Sequence, residues 1–284
     1  MLAHLTYDAI LDRIHQYLYP RTYLEIGIRN GDSLALALPG TRCIGVDPDP
    51  QIVMPLPEDI TIESSTSDAF FETDRAARLL ADATIDLAFI DGMHLFEYAL
   101  RDFMNIERLA ASNSVVLLHD VLPRSASEAQ REPRSGYWAG DVWKVLYCLR
   151  EERPDLSISV IDAFPTGLAI VQKLNPTHPR PDVDRMVARY RYLDFDVFRN
   201  DLRPSMTLIP NDWRHIRAIL PSQPWQSCTS RSGMLRQRRR RPVPPLGRRH
   251  VTKSRLFRLP IVATLLHYKR TLEPRGAVEL RSEH

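Results

Sequence analysis

Across the first 175 residues, short apolar runs bounded by turn residues alternate with longer amphipathic stretches, and this rhythm constrains the chain more than any other feature. Runs that are apolar on both faces, such as LAFI and VVLL, suit strands covered by helices on either side. Their alternation with helical periodicity marks a parallel α/β sheet. The runs predict strands at Thr22–Gly27, Arg42–Asp47, Ile60–Glu63, Ile85–Asp91, Ser114–His119, Ser157–Asp162 and Gly167–Lys173. Helices fit Thr6–Leu18, Gly31–Leu38, Ser67–Ala81, Leu95–Leu109 and Gly140–Arg150, with Thr6 and Ser67 as N-caps. Four prolines between Asp47 and Ile60 leave a short helix or none in that link. Only Ala163–Thr166 joins the last two strands, too little for a crossover helix, so these strands form an antiparallel hairpin.

Beyond Asn175 a proline-rich link and one or two helices predict an accessory extension over 176–230, following an N-terminal helix over 1–20 and a sheet domain over 21–175. From Arg231 to His284, 15 Lys and Arg face three acids, whereas residues 1–230 hold 23 basic and 32 acidic residues. The body therefore carries a net charge of −9 and the tail +12. The tail, 231–284, with its run RQRRRRPVPPLGRR, reads as disordered, and its charge suits weak contact with nucleic acid or an anionic membrane surface. Hydrophobic residues make up 44% of the chain, which excludes a wholly disordered protein. No apolar run approaches the ~20 residues of a membrane span. The first residues lack a secretory pattern, and Cys43, Cys148 and Cys228 are scattered without a CxxC pair. A disulfide framework or zinc site is not expected, and the reducing cytoplasm is the expected compartment.

The chemistry concentrates at the first strand and its turn, Glu25-Ile-Gly27-Ile-Arg-Asn-Gly31-Asp-Ser33. Glycines there let the backbone approach a ligand closely. Twenty residues after Gly27 the second strand ends in Asp47, placed to accept hydrogen bonds from ribose hydroxyls. An ordinary tight turn with a strand-capping Asp is the bland alternative. A dinucleotide pyrophosphate favours G-x-G-x-x-G, but Arg29 occupies the middle position here, and Glu25 would repel it. The turn leans toward an adenosyl amino acid, whose amine an acid suits.

In order and at matching spacing, EIGIRNGDS, GVDPDP, SSTSDAF, DLAFIDGMHLFEYALRDF, SVVLLHD, GDVWKVL and PTGLAIVQ resemble the class I S-adenosylmethionine-dependent methyltransferases. The resemblance spans roughly residues 20–175, and Arg29 departs from it where many relatives have a second glycine. It implies a seven-stranded, doubly wound Rossmann-like sheet of order 3-2-1-4-5-7-6 with an antiparallel last strand. It also implies that Glu25, Gly27 and Gly31 line the methionine end of S-adenosylmethionine, with Ser33 among the cofactor-binding residues. Asp47 would hold the ribose, Ser67 and Asp68 would lie near the adenine, and Asp91 would face the reaction centre. The implied activity is methyl transfer to a small-molecule acceptor, at a hydroxyl oxygen.

In that order strands four and five are neighbours, so Asp91 and Asp120 end together at one sheet edge, with His94 and His119 beside them. Two close carboxylates repel unless they share a proton or a cation. Mg²⁺ on Asp91 and Asp120 is one reading, and a general base at His94 or His119 is the other. The base stands ahead, because His119 occupies the place where metal-using relatives have a third oxygen ligand. Trp143 reads as core, whereas Tyr137 and Trp138, in the loop 121–139, could wall the acceptor pocket. Two other classes compete: a nicotinamide-dependent oxidoreductase on a similar sheet, and a non-catalytic module that binds through its basic tail.

Overall fold

The computed structural model describes residues 5–222, apart from 54, 58, 82 and 134–136. The expected basic tail over 231–284, and the end of the extension before it, lie outside the described residues.

Helix α1 (Tyr7–Leu18) leads into β1 (Thr22–Ile26), and β2 (Arg42–Val46), β3 (Ile60–Glu63), α2 (Ser67–Glu72) and α3 (Arg75–Leu80) follow. Next come β4 (Ile85–Ile90), α4 (Phe96–Leu109), β5 (Ala110–His119) and α5 (Trp143–Glu152). The hairpin of β6 (Ser157–Ile161) and β7 (Leu168–Gln172), then α6 (Val183–Tyr190), β8 (Leu208–Ile209) and a helix over Trp213–Ile219 complete the main elements. The sheet order is β3-β2-β1-β4-β5-β7-β6-β8, with β7 antiparallel to both neighbours. This is the Rossmann-like order expected from the sequence, with one strand more, because β8 pairs in parallel with the outer edge of β6.

The two-residue period of the strands sorts the core into two layers. Leu24, Ile26, Ala88, Ile90, Val116 and Leu118 face one side and pack with Phe103 and Ile106 of α4 and Trp143 of α5. Tyr23, Leu87, Phe89, Val115 and Leu117 face the other and pack with Ile10, Leu11, Ile14 and Leu18 of α1. Trp143 is core, as its spacing predicts.

Four expectations are corrected. Gly31–Leu38 forms only a 3₁₀ turn at Leu34–Leu36. Ser67–Ala81 is two helices, broken where Thr73 is extended and its hydroxyl accepts from Arg75 N. The cap of α2 is Thr66, which accepts from Ala69 N, and Ser67 is already helical. Thr6 stands before α1 without a side-chain cap hydrogen bond.

Candidate functional site

Two crossings at the carboxyl edge of the sheet set the backbone of the site. Gly27 N donates to Val46 O at 2.8 Å, and Asp91 N donates to Ile26 O at 2.9 Å, which draws the tips of β1, β2 and β4 together. Gly27 has φ +86°, and a Cβ there would stand 2.3 Å from Asp91 O. Asp47 receives the amides of Arg29 at 2.8 Å and Asp49 at 2.9 Å, so it braces the turn while remaining partly open to solvent.

Beneath this turn, Glu25 and Ser33 face each other rather than an open surface. The fully buried carboxylate of Glu25 accepts from the Ser33 hydroxyl on one oxygen and from Tyr23 Oη at 2.7 Å on the other. Burial pushes its pKa up to about 8, against both hydrogen bonds. Ser67 is buried and hydrogen-bonds to Asp102, while Asp68 is held by Arg101 through two bonds of 2.9 and 2.8 Å. Neither belongs to the cluster described next.

That cluster gathers four of the expected residues. His119 Nδ1 donates to Asp91 Oδ1 at 2.9 Å and lies 3.4 Å from Asp120 Oδ2. His94 Nδ1 donates to the Trp138 carbonyl at 2.9 Å, which turns Nε2 toward Asp120 Oδ2 at 3.1 Å and Asp91 Oδ1 at 3.7 Å. The approach to Asp120 lacks hydrogen-bond geometry, so Oδ2 is a buried carboxylate oxygen without a hydrogen-bond partner. Its Oδ1 accepts from the Thr166 hydroxyl near the end of the β6–β7 return. Asp120 has φ +61°, a turn that folds its side chain back into the cluster.

The electrostatics follow from this crowding. Burial resists ionisation of Asp120, yet His119, His94 and the Thr166 hydroxyl hold its carboxyl well below the usual range. Burial likewise opposes charge on His119, but Asp120 and Asp91 hold its imidazolium well above the ordinary histidine value.

One nitrogen lone pair of a neutral His94 and two carboxylates converge on a single space. A cation relieves that arrangement, and Asp91, His94 and Asp120 can each offer a ligand atom within 4.8 Å of the others. The donor set therefore fits a divalent ion, and it equally fits a proton shuttle. Two partners escaped the sequence reading. Tyr7 lies tilted against the His119 ring, 4.1 Å between centroids, and Thr166 bonds Asp120. Nothing in MLAHLTYDA or in FPTG ties either residue to a strand end more than 40 positions away.

A second buried acid has a consequence for stability. Burial pushes Asp102 up to about 7. Folded protein therefore keeps protons on Glu25 and Asp102 that the unfolded chain releases near ~4. Stability is then highest in mild acid and declines as pH rises from ~4 toward the raised folded values. Asp102→Asn removes the ionisable proton but retains a partner for Ser67. It is expected to raise Tm by about 5 °C or more at pH 8 and by much less at pH 5. Melting curves at the two pH values check this, and an equal shift at both would contradict it.

Residues 24–121 match the family model for a methyltransferase domain, a span that includes every cluster residue but Tyr7, Trp138 and Thr166. Several solved structures align with part of the chain. Cofactor-bound Rv0187 from MTB is 18% identical over 58% of this chain and 78% of that one, with a TM-score of 0.47. TomG from Streptomyces achromogenes, an O-methyltransferase involved in tomaymycin synthesis and solved with SAM, is 18% identical over 58% and 78%, with a TM-score of 0.45. An O-methyltransferase from Bacillus cereus in complex with SAH is 14% identical over 57% and 78%, with a TM-score of 0.42. No curated protein matches the chain. Among the described residues, no helix is long and apolar enough to cross a membrane.

Proposed function

We propose that this chain, a class I S-adenosylmethionine-dependent methyltransferase by its domain match and strand order, methylates a hydroxyl oxygen of a small-molecule acceptor at the Asp91–His94–His119–Asp120 cluster. The observation that carries the reading is the convergence of two carboxylates and the His94 Nε2 on one space at the carboxyl edge, where open α/β sheets bind ligands. S-adenosylmethionine supplies an electrophilic methyl on a sulfonium, and alignment with the acceptor then provides most of the catalysis.

The chain's own residues have separable tasks. Asp47, braced by two backbone amides, keeps free acceptor capacity for ribose hydroxyls. Gly27 and Gly31 shape the turn beside it, and Glu25 with Ser33 supports that turn from below. His94 Nε2 takes the acceptor's hydroxyl proton, the Trp138 carbonyl fixes the ring, and Asp120 stabilises the imidazolium once it forms. His119, charged between Asp91 and Asp120, keeps those two carboxylates from repelling each other. If a divalent ion such as Mg²⁺ binds, Asp91, Asp120 and His94 would hold it, and it would supply Lewis acidity toward the acceptor oxygen.

The test is titration calorimetry of the wild-type protein with S-adenosylmethionine and with NAD, each with and without Mg²⁺. Binding of the first and not the second is the expected result, and binding of NAD alone would favour the oxidoreductase reading. Asp47→Ala is expected to weaken S-adenosylmethionine at least ~10-fold, since each charge-assisted hydrogen bond contributes ~1.5–3 kcal/mol. Unchanged affinity in that variant would remove Asp47 from the cofactor site.

A further inference from the structure

Aromatic rings border the cluster. Trp138 stacks on His94 at 4.9 Å, and Tyr7 lies against His119. Outside them, Tyr137 and Phe164 meet edge to face at 5.3 Å while remaining 41% and 43% exposed. Both are tied to the reaction centre through their neighbours. Tyr137 precedes the residue whose carbonyl orients His94. The Phe164 carbonyl accepts from Tyr7 N at 3.2 Å, two residues before Thr166, which bonds Asp120. Leaving two large rings in water is unfavourable, and edge-to-face pairs with open faces are suited to receive a third ring.

A cation stands on the same rim. Arg124 lies over the Phe164 ring at 5.7 Å, and its ion pair with Asp162 is long at 3.9 Å. By contrast, Arg101 and Arg131 are clamped by carboxylates at 2.6–2.8 Å. Arg124 therefore keeps guanidinium donors for another anion.

We propose that Tyr137, Phe164 and Arg124 seat the acceptor, and that the acceptor is a planar hydroxylated aromatic bearing an anionic substituent. This inference rests on the methyltransferase reading and narrows it. A sugar would call for several side-chain hydrogen-bonding groups around its ring, whereas this rim presents two exposed rings and one loosely paired cation. In the reaction the phenolic O–H gives its proton to His94 Nε2. The oxygen pair forms the new O–CH₃ bond as the S–CH₃ bond breaks, and that bond's electron pair stays on sulfur, leaving the neutral thioether.

The experiment supplies full-length protein with methyl-labelled S-adenosylmethionine and three probes: 3,4-dihydroxybenzoate, catechol and glucose. Labelled product is expected from the dihydroxybenzoate, at least about ten-fold less efficiently from catechol, and none from glucose. Tyr137→Ala and Phe164→Ala are each expected to raise KM for the dihydroxybenzoate by about five-fold with unchanged S-adenosylmethionine affinity. Tyr137→Phe should restore it, and Arg124→Met should erase the preference for the carboxylate. Equal transfer to glucose, or an unchanged KM in both alanine variants, overturns the proposal. So does an absence of transfer to either phenol while S-adenosylmethionine binds normally, an outcome that leaves the cofactor reading intact. Failure of wild-type protein to bind S-adenosylmethionine would bring down both.

Discussion

Asp120→Asn is expected to bind S-adenosylmethionine as tightly as the wild type and to transfer its methyl group at least ~100-fold more slowly, the lower range for loss of acid–base assistance. The substitution is nearly isosteric, so the Thr166 contact survives. What disappears is the charge facing both imidazoles, at 3.1 Å from His94 Nε2 and 3.4 Å from His119 Nδ1. Asp91 alone then remains opposite two rings, and both candidate mechanisms lose a group they need. Single-turnover transfer to an acceptor that the wild type methylates, paired with calorimetry, separates the two effects. Added Mg²⁺ or Mn²⁺ that stimulates the wild type, and a chelator that silences it, would identify the metal mechanism. Activity indifferent to both assigns the proton transfer to His94. A variant that turns over at the wild-type rate would show that the cluster is not the reaction centre.

Gly27→Ala is expected to be severely damaging to the fold, with a loss of ~4 kcal/mol or more and little soluble protein. The added Cβ would meet Asp91 O at 2.3 Å and Gly92 Cα at 2.4 Å. These are backbone atoms of the adjoining strand end, which cannot swing away, and φ +86° adds its own penalty. Gly31→Ala is the informative control. Its Cβ would meet only the flexible ends of Ile52 at 3.2 Å and Leu56 at 3.4 Å, so a cost of ~1 kcal/mol, chiefly from φ, is expected. Thermal melts of the two variants check the contrast, and a Gly27→Ala melt close to wild type would refute the packing argument.

The Gly27 result bears on what the chain discloses by itself. The sequence places a glycine there for a ligand, whereas in three dimensions the first claim on that space comes from the crossing with Asp91. Strand positions were legible nearly to the residue, because an apolar run covered on both faces is a strong and local signal. The longer β5 was not, since Ala110–Asn113 (Ala-Ala-Ser-Asn) lacks a run of large apolar residues and continues the strand past an irregularity between Ile85 and Leu87. The two-residue β8 carries no periodic pattern, so only its edge pairing with β6 reveals it. At the site, residues that end strands were readable from spacing. Glu25 was read as facing the cofactor because nothing in the chain announces that Tyr23 and Ser33 occupy its oxygens. Tyr7 and Thr166 reach the cluster only through tertiary packing, from α1 and from the β6–β7 return.

That return has a consequence for how such a protein can change. Because β7 runs against its neighbours, the short link 162–167 emerges on the same edge as the ends of β4 and β5, not on the far side. It delivers Thr166 to Asp120 and Phe164 to the rim without any crossover helix whose packing would have to follow. Under the acceptor seat proposed above, preference can drift by exchange of one or two residues in this link while the turn between β1 and β2 stays untouched. Duplicate copies of such a gene could part ways in what they methylate long before they differ in how they hold the methyl donor.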